Sequence, residues 1–161
     1  MEWLAAAFVI AVALHDLEEA LWLPAWSRRA GLWHRPVGVL EFRFAVTVLA
    51  IAAPAVAVLA VRQGPGSVGA YLLAGYALAM LANVFVPHVA ATILMRRYMP
   101  GTATALVLVL PASLALLSTA FAGGWVSWPA FALAGPAVAA ALALSIPLLF
   151  SVGRRLAGTV G

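Results

Sequence analysis

The sequence has no cysteine and no lysine, and only five of its 161 residues are acidic. The absence of cysteine excludes disulfides, thiol nucleophiles and thiolate metal ligands. Charged residues make up 9% of the chain and hydrophobic residues 66%, which excludes an ordinary soluble domain and is typical of a membrane protein with several spans. The arginines form no basic stripe, so we expect no nucleic-acid partner. The sequence does not indicate an oligomeric state.

Long apolar runs fill most of the chain. Each membrane-spanning helix needs about 20 predominantly apolar residues, and Gly, Pro or charged residues interrupt the runs at suitable intervals. We therefore predict an all-α membrane protein in which residues 1–161 form a single transmembrane domain. Its five spanning helices are predicted near residues 3–26, 39–62, 68–95, 102–122 and 130–152.

The arginines predict the orientation of this five-helix bundle. Only Arg62 lies in a connection on one side, whereas the first and third connections and the tail on the other side contain Arg28, Arg29, Arg35, Arg96, Arg97, Arg154 and Arg155. Arginine and lysine are enriched on the cytoplasmic side of membranes. We therefore predict an outside N-terminus and a cytoplasmic C-terminus, in a multi-pass protein of the bacterial inner membrane that contacts membrane lipid.

Ionisable residues interrupt the first apolar run. His15, Asp16, Glu18 and Glu19 fall within five positions, with hydrocarbon side chains before and after them. An ionised side chain at the centre of a span costs about 2.5–3.5 kcal/mol on insertion scales, so such residues indicate a functional site. At 100° per residue, His15, Glu18 and Glu19 share one helix face. Asp16 lies at the edge of that face, and Trp22 lies one turn further on.

Two later spans carry polar groups at a similar depth. Glu41 and Arg43 lie near the cytoplasmic end of the second span, and Asn83 and His88 lie in the inner half of the third. We therefore expect these groups to meet the polar face of the first span in one cavity, in the cytoplasmic half of the bundle. In particular, His15, one of the two glutamates and His88 should line that cavity together.

Pro87 affects how the third span presents its polar side chains. Proline lacks the N–H that would bond to the carbonyl of Asn83, four residues earlier. On a regular helix, Asn83 and His88 would point about 140° apart. A local wide turn at Pro87 would bring both side chains inward.

Carboxylates beside imidazoles are suited to general acid–base catalysis. We predict an enzyme that acts on a lipophilic small molecule by isomerisation, cyclisation or hydration, and that requires no cofactor. Its catalytic residues would be His15, Glu18 and Glu19, with one glutamate transferring a proton and the other orienting His15 or sharing a proton. The residues predicted to bind or orient the substrate are Asn83, His88, Glu41, Arg43 and Trp22.

Two other functions remain open at this stage. One is a metal-dependent membrane hydrolase, because imidazole and carboxylate groups bind divalent ions such as zinc, iron or manganese. Its ligands would come from His15, Glu18, Glu19 and His88. The other is a non-catalytic proton-coupled transporter or accessory membrane protein, in which the carboxylates relay protons.

Three segments resemble, in order, the signatures of the HXXEE-domain family of small bacterial membrane proteins. His15 to Glu19 fits H-x-x-E-E, Asn83 and His88 look like the second signature, and Tyr98 to Thr102 looks like the third. The similarity covers about residues 10–105. The resemblance implies an enzyme, without a specified reaction, whose functional residues are His15, Glu18, Glu19, Asn83 and His88.

Overall fold

The computed structural model describes residues 1–31 and 35–158, and these residues form helices and connections without strands. Five long helices follow one another within these described residues. They are α1 Glu2–Ser27, α2 Val39–Gln63, α3 Val68–Leu94, α4 Thr102–Ala122 and α5 Trp128–Gly158. Their ends agree with the predicted spans to within two residues, except that α5 continues to Gly158 instead of ending at residue 152.

Helices α2 to α5 are each long and apolar enough to cross a membrane, which indicates a multi-pass membrane protein. Helix α1 has 26 residues and is therefore about 39 Å long. However, every 18-residue stretch of α1 contains Asp16, Glu18 and Glu19. Its length suits a membrane span, whereas its composition does not.

Packing places the polar part of α1 between two apolar clusters. Helix α3 packs against α2, α4 and α5, and α1 packs against α2 and α4. Near one end of α1, Phe8 and Val12 belong to the larger cluster. Near its other end, Leu23 and Trp26 belong to the smaller one. The polar residues from 15 to 19 lie between these clusters; His15 and Asp16 are buried, and Glu18 and Glu19 are partly buried.

Helix α3 contains the wide turn that the sequence predicted. Val84–Val89 forms a π-type segment. Within it, Val86 has extended dihedral angles (φ −132°, ψ 112°) and the Val86–Pro87 peptide bond is cis. The side chains of Asn83 and His88 both reach α1, so the prediction that both turn inward is confirmed. A second π-type segment, Ala105–Val109, lies near the start of α4.

Candidate functional site

Two buried histidines and one carboxylate meet where α1 passes the wide turn of α3. The rings of His15 and His88 lie edge to face, with their centroids 4.8 Å apart, and both residues are fully buried. Glu19 follows His15 by one helical turn. Its Oε1 is 3.2 Å from Nε2 of His88, and its Oε2 is 4.0 Å from Nε2 of His15. These three side chains, here called the imidazole cluster, meet as predicted. Of the three, however, only Glu19 lines the cavity described below, so the prediction that all three line it together is wrong.

Hydrogen bonds assign the tautomer of His15. Oγ1 of Thr104 lies 3.1 Å from Nδ1 of His15 and 2.6 Å from Oε2 of Glu18. An ionised carboxylate only accepts hydrogen bonds, so the hydroxyl donates to Glu18 and accepts from Nδ1–H of His15. Nε2 of His15 is then the unprotonated nitrogen, and it accepts from Nδ2 of Asn83 at 3.2 Å. Glu18 therefore orients His15 through Thr104.

Tyr98 holds Glu18 from a second side. Its hydroxyl donates to Oε1 of Glu18 and accepts from the backbone N–H of Ala103 at 3.1 Å. Burial, together with the hydrogen bond to Glu18, raises the pKa of Tyr98. The phenol consequently remains a proton donor at neutral pH. Both oxygens of Glu18 are thus engaged by the third signature segment and the start of α4.

The connection between α3 and α4 covers the two histidine rings at Gly101. This residue has a φ of +93°, and a Cβ atom there would lie 2.6 Å from Cε1 of His88 and 3.0 Å from Cε1 of His15. The connection is tied to α3 by Thr102, whose hydroxyl donates to the carbonyl of Met99 at 2.7 Å and lies 2.9 Å from Oγ1 of Thr92. A side chain at position 101 therefore has no room.

A cavity of about 430 Å³ adjoins the imidazole cluster. Four helices contribute its apolar lining, which includes Leu23, Phe42, Val46, Met80, Leu142 and Ile146. Asp16, Glu19 and Asn83 are polar exceptions in this lining. Oδ2 of Asp16 is buried and has no hydrogen-bond partner among the described residues. Ligand pockets commonly have volumes of about 300–1,000 Å³ and a mostly apolar lining with a few polar groups, and this cavity matches both.

Six residues that the sequence placed in the pocket do not line this cavity. His15 and His88 contact its lining residue Glu19, Glu18 bonds to Tyr98 and Thr104, and the other three lie elsewhere. Glu41 accepts a hydrogen bond from a backbone N–H at the start of α2 at 2.6 Å and pairs with Nη1 of Arg154 at 3.2 Å. Nε of Arg43 donates to a backbone carbonyl of α1 at 3.2 Å. Trp22 is 62% exposed on the outside of the bundle. Depth suggested Glu41 and Arg43, and helix periodicity suggested Trp22, but the packing of the helices turns all three away from the cavity.

The ordered segments of this site match a known family. A family model described as "Protein of unknown function with HXXEE motif" matches residues 6–116. The chain belongs to the HXXEE family. An HXXEE relative, "Uncharacterized protein YrkK" of Bacillus subtilis (strain 168), is 32% identical over 156 residues, which cover 97% of this chain and 99% of that protein. No solved structure matches the chain.

The histidine and the two glutamates of the HXXEE motif have different surroundings in the structure. The histidine, His15, is buried between α3 and α4 groups. The first glutamate, Glu18, bonds to Tyr98 and Thr104, and the second, Glu19, lines the cavity and contacts the histidine of α3. Sequence reasoning missed Thr104, which lies two residues after the third signature.

Proposed function

We propose that this HXXEE protein is an integral membrane enzyme that acts on a lipophilic small molecule by acid–base chemistry. The position of Glu19 carries the proposal, because its carboxylate lines a mostly apolar cavity and lies within 4.0 Å of two buried imidazoles. Such groups exchange protons with a bound substrate in general acid–base catalysis. Isomerisation, cyclisation and hydration are reactions that proton transfer can drive. The apolar lining favours a lipophilic substrate.

The surroundings of the two glutamates support different roles. Glu19 is the proposed proton-transfer group, because it is the motif carboxylate that lines the cavity. Glu18 is the proposed positioning residue, because both of its oxygens accept hydrogen bonds and one of these leads through Thr104 to His15. Asp16 places a second carboxylate on the cavity lining, where its unpaired oxygen is available to a substrate.

The content of the cavity is the direct test of this function. We expect organic extracts of the purified protein to contain a lipophilic compound, detected by mass spectrometry. Ala139 lines the cavity on α5, so Ala139→Trp should lower the amount of that compound at least about tenfold by occupying its space.

Ala141→Trp is the matched control. Ala141 is exposed on the same helix and lies about 200° around the axis from Ala139. This variant should retain the compound at the wild-type level. Identical extracts from wild type and Ala139→Trp would show that the cavity does not bind the substrate. The recovered compound then serves as the substrate for turnover assays.

We further propose that α1 also crosses the membrane, which gives five spans with the N-terminus outside and the C-terminus in the cytoplasm of a bacterium. The length of α1 and its packing against α2 and α4 support this proposal. Glu18 of α1 also accepts hydrogen bonds from Thr104 of α4 and from Tyr98 of the connection between α3 and α4. Glu19 of α1 contacts His88 of α3. The arginine pairs at the ends of α1, α3 and α5 favour a cytoplasmic location for that end of the bundle.

Single cysteines test this topology without background, because the chain has none of its own. In intact cells, Glu2→Cys and Ser67→Cys should react with a membrane-impermeant thiol reagent. Arg29→Cys and Gly158→Cys should react only after the membrane is opened. Labelling of Glu2→Cys and Arg29→Cys from the same side would show that α1 does not cross, and the reverse pattern at all four positions would invert the orientation.

A further inference from the structure

The ligand-type atoms of the imidazole cluster are close enough to share one ion. One nitrogen each from His15 and His88 and one oxygen from Glu19 lie within 4.8 Å of one another. Ligands at about 2.0–2.2 Å from a tetrahedral zinc ion are about 3.3–3.6 Å apart. The 3.2 Å distance from Oε1 of Glu19 to Nε2 of His88 is already close to that value. Oε2 of Glu19 is 4.0 Å from Nε2 of His15, so the side chains must move for one oxygen to reach an ion shared with both nitrogens.

His88 provides a second, independent observation. Its side chain is fully buried, and neither ring nitrogen has a hydrogen-bond partner among the described residues. Nε2 lies 3.2 Å from a carboxylate oxygen of Glu19, but outside hydrogen-bond geometry. Buried polar atoms in proteins are nearly always paired. A cation held between this nitrogen and this oxygen would satisfy both atoms.

His15 is prepared as a ligand by its hydrogen bonds. Thr104 and Glu18 keep the proton on Nδ1, which leaves the lone pair of Nε2 on the side of Glu19. Ligating histidines in metal sites are commonly oriented by such an acceptor on the other ring nitrogen. Nδ2 of Asn83 now donates to Nε2. A turn of that amide would release the nitrogen and present the Asn83 oxygen, which is itself a potential ligand.

We propose that His15, Glu19 and His88 bind one divalent transition-metal ion that prefers nitrogen and oxygen ligands, such as Zn²⁺ or Fe²⁺. Two imidazoles and one carboxylate are the protein ligands of several catalytic zinc sites and of non-haem iron sites, where further positions stay open for water or substrate. The open positions would lie towards the cavity that Glu19 lines. Glu19 would hold the ion through one oxygen and keep its second oxygen for proton exchange. The proposal thus adds a cofactor to the proposed function, and each can fail without the other.

Zinc binding to the full-length protein in detergent tests the site. After chelator treatment and addition of Zn²⁺, elemental analysis of the gel-filtered protein should find about one ion per chain in the wild type. Glu19→Gln and His88→Ala should bind less than about a tenth as much, because each removes a ligand. Glu2→Gln, which changes a carboxyl near the far end of α1, should bind like the wild type.

Glu18→Gln tests the orienting role separately. Loss of a group that orients a metal-ligating histidine typically costs about 10–100-fold in affinity. We therefore expect Zn²⁺ to bind this variant with a larger dissociation constant but the same stoichiometry. A cobalt-loaded wild type should also show visible absorption bands, and cobalt-treated Glu19→Gln should lack them. This comparison does not depend on whether His88→Ala folds.

Two results would overturn the metal site. One is a wild type that binds no more Zn²⁺, Fe²⁺ or Co²⁺ than Glu19→Gln, and the other is equal binding by every variant, which would indicate adventitious ions. Full turnover by chelator-treated enzyme would show that the reaction needs no metal, and would leave the proposed acid–base function intact. If the protein binds the metal but turns over no compound recovered from the cavity, the metal site stands and the proposed acid–base function fails.

Discussion

Glu19→Gln is expected to lower the turnover rate by at least about 100-fold, which is the scale of general acid–base catalysis. The glutamine keeps the size of the side chain on the cavity lining, but it cannot accept and return a proton. The change should be measured as kcat on the compound recovered from the cavity, with thermal unfolding in detergent to show that the variant folds. His15→Ala should reduce the rate to a similar extent, because coupled groups act as one unit.

Glu18→Gln should be the milder variant. An amide oxygen can still accept from either Thr104 or Tyr98, so part of the hydrogen bonding that orients His15 survives. Glu2→Gln serves as the matched control and should turn over like the wild type. A stronger loss in Glu18→Gln than in Glu19→Gln would reverse the two assigned roles. Wild-type rates in both variants would leave the carboxylates without a catalytic role.

Gly101→Ala is expected to lower the free energy of unfolding by roughly 2–6 kcal/mol, the sum of backbone strain and overpacking. Its φ of +93° disfavours any side chain, and the new Cβ would collide with both histidine rings. Turnover should be lost together with stability, because the collision displaces the imidazole cluster. Denaturant unfolding in detergent and kcat are the two measurements.

Gly64→Ala separates the two contributions to this loss. Gly64 has a similar φ of +78°, but no atom lies within 4 Å of the position of an added Cβ. Its alanine variant should therefore show only the strain, about 1–3 kcal/mol, and should keep its activity. If Gly101→Ala is no less stable or active than Gly64→Ala, the connection does not press on the histidines as the structure indicates.

The helices could be predicted because their signals are local. Apolar runs of sufficient length, separated by Gly, Pro and arginine, gave the five helices almost to the residue. The inward turn of both Asn83 and His88 was also predictable, because Pro87 lacks a backbone donor. The six additional residues of α5 were not predicted, because that segment carries Arg154 and Arg155 and no longer resembles a membrane span.

The finer geometry of the site depends on helix rotation and was not predictable. Glu18 and Glu19 are adjacent and differ by 100° around α1, so the positions of α3 and α4 decide which one lines the cavity. In the same way, the rotation of α2 about its own axis turns Arg43 towards a backbone carbonyl of α1. Thr104 gave no signal of charge or periodicity, and only the packed bundle brings it to His15.

The acidic stretch of α1 also bears on how the chain enters the membrane during synthesis. Its partners Tyr98 and Thr104 follow Glu18 by 80 and 86 residues, so α1 leaves the ribosome well before them. Each ionised residue that enters the bilayer centre alone costs about 2.5–3.5 kcal/mol. In the proposed topology, we therefore expect α1 to settle across the bilayer only once α3 and α4 have arrived. Completion of the site and final integration of the first helix would then be a single late event in biogenesis.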